Sequence, residues 1–589
     1  MLLALDVGNT NIVVGLLEGR DVRRTFRLAT RRESTTGDYA VALSQLLELA
    51  DIDRRTLEQI IISSVVPPVT RALTGAAQLL TGKAPLVVGQ NVRCDLPVRI
   101  RQPETLAADL VSAAVGALDL FRPPLLLIDM GTATTVSVLD ETGAFRGGAI
   151  LPGANLALSS LTGGTALLPD IPDMPRLVAN AYTGKFETED LTPSVSVGDS
   201  TVLELFRGPT SAFKDVALSM LPQLLTAAKR EKGVAEDIMI LTATSGDTGK
   251  AALVGFRDVP GVRICVFYPY GGVSQVQRAQ MVTQEGNNVA VCAVRGNFDD
   301  AQTGVKQIFT AFQGKKLPFR LSSANSINIG RLAPQVMYYF RAYKDLLAAG
   351  KIKLGDKVNF SVPTGNFGDI LAGYLAKKMG LPVGTLICAS NANNVLTDFI
   401  RTGTYDRRRP LLKTTSPSMD ILVSSNLERL LYLLSGDTKL VASLMKQLKE
   451  EGAYTVPDAL KAAIQKEFWA AYCDDARAAE IIGRVYREQH YLCDPHTASG
   501  FAAAEDYRNE TGDLTPMVIL STASPYKFPA AVLSAIGGDT GGDEFEQMER
   551  LQQMTGVPIP APLASLKGKK ELHTDVIEKE AMSTYVLGL

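Results

Sequence analysis

Lys214 is the residue that most invites chemistry, in the stretch 206–215 (FRGPTSAFKD). A strand-like run over 200–206 leads in, a Gly-Pro turn follows, and a helical pattern occupies 213–225. The lysine falls at a turn-to-helix junction among apolar Phe213, Val216 and Ala217. Partial desolvation there lowers an amine's pKa, as a Schiff-base lysine needs. Alone, such a lysine is more often a solvated surface group. What lies downstream changes the reading. A strand over 237–242 opens into Thr244, Ser245, Gly246, Asp247 and Thr248 and then a helix, whose first N–H groups suit a carboxylate or phosphate. A strand over 359–362 ends in Gly365, Asn366, Phe367, Gly368 and Asp369. Their backbone donors either wrap a phosphate or form a plain turn. A last strand, 517–520, delivers Thr522, whose hydroxyl serves a ring nitrogen or closes a Ser/Thr turn. Lysine, anion loop, phosphate loop and hydroxyl together fit pyridoxal phosphate.

A different chemistry is written near the start. Residues 2–17 alternate apolar side chains around a tip holding Asp6, Val7, Gly8, Asn9, Thr10 and Asn11, and this reads as a β-hairpin. A related pattern returns over 125–139, with Asp129, Gly131, Thr132 and Thr134 at its tip. Two D-x-G tips suggest a duplicated module facing one cleft. Small residues let N–H groups approach phosphate oxygens, and each aspartate can hold a cation. Two ordinary hairpins are the plainer alternative.

Composition frames both. A chain of 589 residues is too long for one core and predicts two to four domains. A net charge of −2 provides no basic field for nucleic acid. Six scattered cysteines without a CxxC pair read as reduced thiols of a cytoplasmic protein. No apolar run approaches the ~20 residues of a membrane span. Three histidines argue against a histidine metal site, and His496 reads as a hydrogen-bonded core residue or one supporting the site. Trp469 is expected on an amphipathic helix. Prolines cluster at the start of 169–197, which predicts a boundary between domains 1–172 and 173–589.

The motifs DVGNTN (6–11), AADL (107–110), DMGTATT (129–135) and GGAILPG (147–153) resemble the type III pantothenate kinase family. That family belongs to the acetate kinase/Hsp70, ribonuclease H-like group of folds. The resemblance implies an ATP-phosphate loop at Asp6–Asn11, an ATP contact at Thr132 and a monovalent cation, K+ or NH4+, at Asp129. It implies Asp109 as general base on pantothenate beside Ala107, Ala108 and Leu110, and a homodimer through this module. ATP would come with a divalent cation. Leu110 stands where the family usually carries arginine, and the likeness ends near residue 170, short of the family's length.

The motifs GPTSAFKD, TATSGDTGKAA, SSANSINIGRLAPQ, VPTGNFGDILAGY, DPHTASG and STASPYKFP, in this order, resemble the threonine synthase family. The resemblance implies an α/β multidomain chain whose larger part is a fold type II, tryptophan synthase β-like enzyme. It implies that Lys214 carries pyridoxal phosphate, that Gly365–Asp369 hold its phosphate, and that Thr522 faces its ring nitrogen. Thr244–Thr248 would take the substrate carboxylate or lie beside the cofactor, with Asn325, Ser326, Asn328 and Lys527 as further contacts to substrate or cofactor. The implied reaction converts O-phospho-L-homoserine and water to L-threonine and phosphate. Threonine synthases ordinarily carry a further N-terminal stretch, and the kinase-like segment stands in its place here. The alternatives are a pantothenate kinase serving coenzyme A synthesis, or a chimera with neither activity complete.

Overall fold

The computed structural model describes residues 1–92, 94–100, 103, 106–130, 133–152, 174–315 and 317–589. Thr132 and the expected 172/173 boundary lie outside them. The chain divides into two compact units, Met1–Asp170 and Ile171–Leu589.

In the first unit the period-two pattern near the start folds as expected. Strands β1 (Leu2–Val7) and β2 (Asn11–Glu18) pair antiparallel, with Leu3 opposite Leu16 and Leu5 opposite Val14. These four side chains are buried against Tyr39, Leu43 and Leu73 of two helices, Thr36–Leu49 and Pro67–Thr81. The helices are placed by a capping box between Thr35 and Asp38 and by Pro at the start of the second. With β3 (Asp21–Ala29), β4 (Gln59–Ser64) and β5 (Leu86–Val87) the sheet order is β3-β2-β1-β4-β5. β1–β4 and β4–β5 are parallel, and the other neighbours are antiparallel. The second hairpin forms too. β6 (Leu125–Met130), β7 (Ala133–Leu139) and β8 (Phe145–Pro152) make an antiparallel meander. Leu125, Leu127, Leu139 and Phe145 pack with Ala114 and Leu118 of the Ala108–Leu120 helix, while Leu126 and Ile128 are exposed.

The second unit is built on two largely parallel sheets. One is ordered β19-β16-β15-β20-β10-β9, from β9 (Ser194–Val197), β10 (Ser200–Glu204), β15 (Val358–Pro363), β16 (Val383–Ser390), β19 (Phe468–Tyr472) and β20 (Met517–Ser521). The other is ordered β14-β11-β12-β13-β21, from β11 (Asp237–Ala243), β12 (Val262–Pro269), β13 (Val289–Arg295), β14 (Phe319–Ser323) and β21 (Asp575–Glu578). A short pair, β17 (Thr404–Asp406) with β18 (Ala453–Thr455), lies apart. Strands covered on both faces need apolar runs rather than alternation, and β20 (MVILS) is buried throughout. β15 is likewise buried at every position, with Asn359 and Ser361 engaged in hydrogen bonds. Trp469 corrects one expectation. The Asp458–Glu467 helix stops before it, and Trp469 sits on β19, in register with Ile387 of β16. Pairing to the sheet outweighs local helical preference there.

Candidate active site

The predicted site residues of the second unit follow the carboxyl ends of parallel strands, where ligands of open α/β sheets bind. The turn after β10 is closed by Asp215, whose carboxylate accepts from the Thr210 N–H (2.8 Å) and hydroxyl (2.6 Å). Gly208 is required, because a Cβ there would come within 2.4 Å of Asp215 Oδ2. Ser211, buried and in the left-handed region (φ 58°), turns the chain into the Lys214–Glu231 helix. The loop after β20 is fixed to this turn: the Phe213 N–H donates to the Thr522 carbonyl (2.8 Å) and the Ser524 N–H to the Ser211 carbonyl (3.1 Å). Thr522 is thereby buried against the lysine's turn.

Lys214 is 7% exposed, and its Nζ lies 4.4 Å from the Phe213 ring centroid. Burial pushes its pKa down; Asp247 opposes this, and the Arg331 and Lys527 charges add to it. Asp247 is the hub. Its Oδ2 is 3.4 Å from Lys214 Nζ and accepts from the Ser418 hydroxyl at 3.1 Å. Its Oδ1 is 2.6 Å from Lys527 Nζ and accepts from Gln277 Nε2 at 3.0 Å. Burial alone would raise this carboxyl, but the Lys527 and then Lys214 charges outweigh it and hold the pKa well below the carboxylate range. The Asp247 side chain therefore serves the lysines, and an anion at this helix start would meet its backbone. Thr244 Oγ1 accepts from the Gly246 and Gly249 N–H groups, both at 2.9 Å, which shapes the loop. Ser245 and Thr248 remain partly exposed beside it.

The loop after β15 brings its residues together as an open cradle. Phe367 is left-handed (φ 61°) and precedes the Gly368–Lys378 helix. Among the described residues the N–H groups of Gly365, Asn366, Phe367 and Gly368 have no hydrogen-bond partner. Asp369 folds back, accepting from the Thr364 hydroxyl and the Ile370 N–H (2.9 Å), and burial pushes its pKa up to about 6. Asn325 Nδ2 donates to the Ala243 carbonyl (3.0 Å), Asn328 caps a helical turn, and the Ser326 hydroxyl meets that of Ser425 at 2.8 Å. The cradle, the buried lysine and Thr522 fit pyridoxal phosphate: N–H donors for its phosphate, an amine for its aldehyde and a hydroxyl for its ring nitrogen.

Sequence reasoning passed over Arg331, Ser418 and Gln277. Arg331 is 7% exposed; Nη1 donates to the Ala324 carbonyl (3.0 Å) and Nη2 to Thr248 Oγ1 (3.4 Å). It has no ion pair among the described residues, and burial lowers its pKa to about 10, so it stays charged. It stood inside SSANSINIGRLAPQ, where an arginine amid small polar residues was the available signal. Two cavities lie elsewhere: about 570 Å³ beside Asp237 and Arg263, and about 400 Å³ beside Arg401 and Arg477.

In the first unit the β1–β2 tip is shaped by the Gly8 N–H donating to the Asn11 carbonyl (3.0 Å) and by the Thr30 hydroxyl donating to the Gly8 carbonyl (2.7 Å). Arg32, also missed, reaches Asn9 Oδ1 at 3.4 Å. Asp6 and Asp129 are exposed. Asp109, in the first turn of its helix behind Ala107 and Ala108, is half-buried, like Leu110. Asp6 stays exposed as a residue, yet protein crowded around its carboxyl, then the charges of Asp109 and Asp129, raise its pKa. The three predicted carboxylates thus share one field.

The model of type III pantothenate kinase matches residues 2–189, that of pyridoxal-phosphate dependent enzymes 201–523, and that of the threonine synthase C-terminal region 497–585. The first runs past 172 into the Met174–Tyr182 helix, where the Tyr182 hydroxyl donates to the Val216 carbonyl (2.8 Å) of the Lys214 helix. Threonine synthase of Pseudomonas aeruginosa is 44% identical over 386 residues, 64% of this chain and 80% of that protein. Human threonine synthase-like 1 is 40% identical over 382 residues, 62% of this chain; the match spans about half of that relative's length (51%). The structure of PLP-bound threonine synthase from Brucella melitensis superposes with a TM-score of 0.62 at 39% identity, covering 73% of this chain and 87% of that one. The first unit is therefore of the acetate kinase/Hsp70 type and the second a fold type II enzyme.

Proposed function

We propose that this chain, which belongs to the threonine synthase family of pyridoxal-phosphate-dependent enzymes, converts O-phospho-L-homoserine and water to L-threonine and phosphate at Lys214. The observation that carries this reading is charge. Lys214, Lys527 and Arg331 are all buried, and Arg331 has no ion pair among the described residues. A buried guanidinium met only by the field of the Asp369 carboxyl, with no direct ion pair, is costly to hold; the substrate brings a phosphate that would pair with it, while the glycine cradle takes the cofactor's.

Pyridoxal phosphate, when bound, supplies an electron sink for the substrate's carbon acids. The chain supplies the rest. Gly365–Gly368 present N–H donors to the cofactor phosphate, and Thr522 offers a hydroxyl to the ring nitrogen. Lys214, its pKa depressed by burial, is a neutral amine at lower cost and can take a proton from one substrate carbon and return it to another. Asp247, itself paired with Lys527, holds that amine in place. Arg331 with Thr248 receives the departing phosphate, and the start of the Asp247–Phe256 helix takes the carboxylate. Six free cysteines favour a cytoplasmic setting. The test is to load the full chain with cofactor and add O-phospho-L-homoserine. L-Threonine and phosphate in equal amounts are expected, and a folded, loaded protein that forms no threonine overturns the reading.

A second activity is favoured by the shared field of Asp6, Asp109 and Asp129. With ATP at the β1–β2 tip and a monovalent cation at Asp129, Asp109 would act as base on the pantothenate hydroxyl, in a homodimer of the first unit.

A further inference from the structure

His496 is not one of the proposed contacts of cofactor or substrate, yet it is 2% exposed and connected to the centre by an unbroken hydrogen-bond chain. Its Nδ1 is 2.6 Å from Asp494 Oδ2, and Asp494, fully buried, also accepts from the His496 and Thr497 N–H groups, both at 3.1 Å. Asp494 can only accept when ionised, so Nδ1 carries the proton. Nε2 is left as an acceptor, and the Ser418 N–H donates to it at 3.2 Å. The same serine donates its hydroxyl to Asp247 Oδ2, which lies 3.4 Å from Lys214 Nζ. Ser418 is thus gripped from both sides, by its backbone to His496 and by its side chain to the hub.

The segment around Ser418 also covers the phosphate cradle. A Cβ on Gly365 would lie 3.0 Å from Met419 Cα and 3.3 Å from the Ser418 carbonyl oxygen. Further along, the Ser424 hydroxyl donates to the Gly365 carbonyl and the Asn426 N–H to the Asn366 carbonyl (3.1 Å). Asp420 ties the other side, accepting from Asn391 (2.8 Å), Asn393 (2.9 Å) and the Thr414 hydroxyl (2.7 Å). One strap therefore touches the cradle and the carboxylate that holds the lysine.

We infer that His496 is a positioning residue: its neutral Nε2 fixes the Ser418 strap so that the serine hydroxyl holds Asp247 against Lys214. The inference rests on reading Lys214 as the reactive lysine. Removing the Ser418 donor concentrates the Asp247 charge on Lys214 and favours the protonated amine, so the lysine should titrate higher.

The test measures the pH profile of Lys214 labelling by trinitrobenzenesulfonate in the full chain without cofactor, resolved by peptide mapping. The midpoint of the visible cofactor band is followed in the loaded protein. Ser418→Ala and His496→Leu should each raise both midpoints by about 0.5–1 pH unit. The double variant should shift no further than the larger single one. His496→Gln, which keeps an acceptor for the Ser418 N–H, should restore the wild-type midpoints. The charged groups around the chain and facing Lys214 (Asp494, Asp420, Asp247, Asp369, Arg331 and Lys527) stay in place in every variant. Unmoved midpoints in Ser418→Ala, or additive shifts in the double variant, overturn the inference. Ser418→Ala deletes one hydroxyl and keeps this decisive should His496→Leu not fold. Failure to make threonine overturns the substrate reading alone, since the Lys214 profile needs neither cofactor nor substrate.

Discussion

In the first unit Asp6 and Asp129 remain exposed and Asp109 half-buried, whereas in the second Lys214, Asp247, Arg331 and Lys527 are each at most 7% exposed. The consequence is visible in their ionisation. Lys214 is pushed down by burial, Asp247 is driven far down by two lysines, and Arg331 falls to about 10. At the more open trio, protein crowded around Asp6 and then the charges of Asp109 and Asp129 raise the pKa of Asp6. Water screens charges at the open site. The buried site has already exchanged solvent for its own dipoles and charges and is organised before substrate arrives.

Four variants probe this contrast. Lys214→Ala should have the largest effect, removing the visible cofactor band and lowering kcat for threonine formation by about 1000-fold or more. Retained turnover would mean that the buried lysine does no chemistry. Asp109→Asn should reduce ATP-dependent phosphorylation of pantothenate by about 100-fold while leaving the cofactor band intact. A loss of that band would show that the two sites are not independent. Arg331→Gln removes the proposed charged partner of phosphate; a charge-assisted hydrogen bond is worth about 1.5–3 kcal/mol, and kcat/KM for O-phosphohomoserine should fall by about 10- to 100-fold. An unchanged value would move phosphate recognition elsewhere.

The smallest expected effect is on stability. Lys250 donates to Gln284 Oε1 at 2.7 Å, and burial, then the Lys569 charge, pushes its pKa from an ordinary 10.5 to about 7. The unfolded chain keeps this proton up to the ordinary value. The penalty of a buried charge is therefore full below pH 7 and fades as pH rises toward 10.5. Lys250→Met should raise Tm by about 1–3 °C at pH 6 and by less at pH 9.5. An equal gain at both would exclude the charge as its cause.

The loops of the second site were legible because each combines a β-rich apolar run, a small polar turn and a helical pattern within some fifteen residues. Hairpin alternation around Asp6 and Asp129 was legible for the same local reason. The partners that complete the lysine's surroundings were not. Ser418 reaches Asp247 across 171 positions and His496 reaches Ser418 across 78, and nothing in local spacing reports such contacts. Arg331 shows the limit differently. It stood in a motif already singled out, but its importance comes from burial without an ion pair, which only the fold reveals. Trp469 failed because a helical pattern ran into a strand chosen by its neighbour β16.

The most direct test of the central claim is borohydride reduction of the cofactor-loaded chain, followed by peptide mapping of the pyridoxyl label. The buried site offers two lysines to the cofactor, Lys214 and Lys527, joined through the Asp247 carboxylate. The label is expected on Lys214 alone, with Lys527 unmodified. A label on Lys527, or on neither lysine in a folded protein, would contradict it.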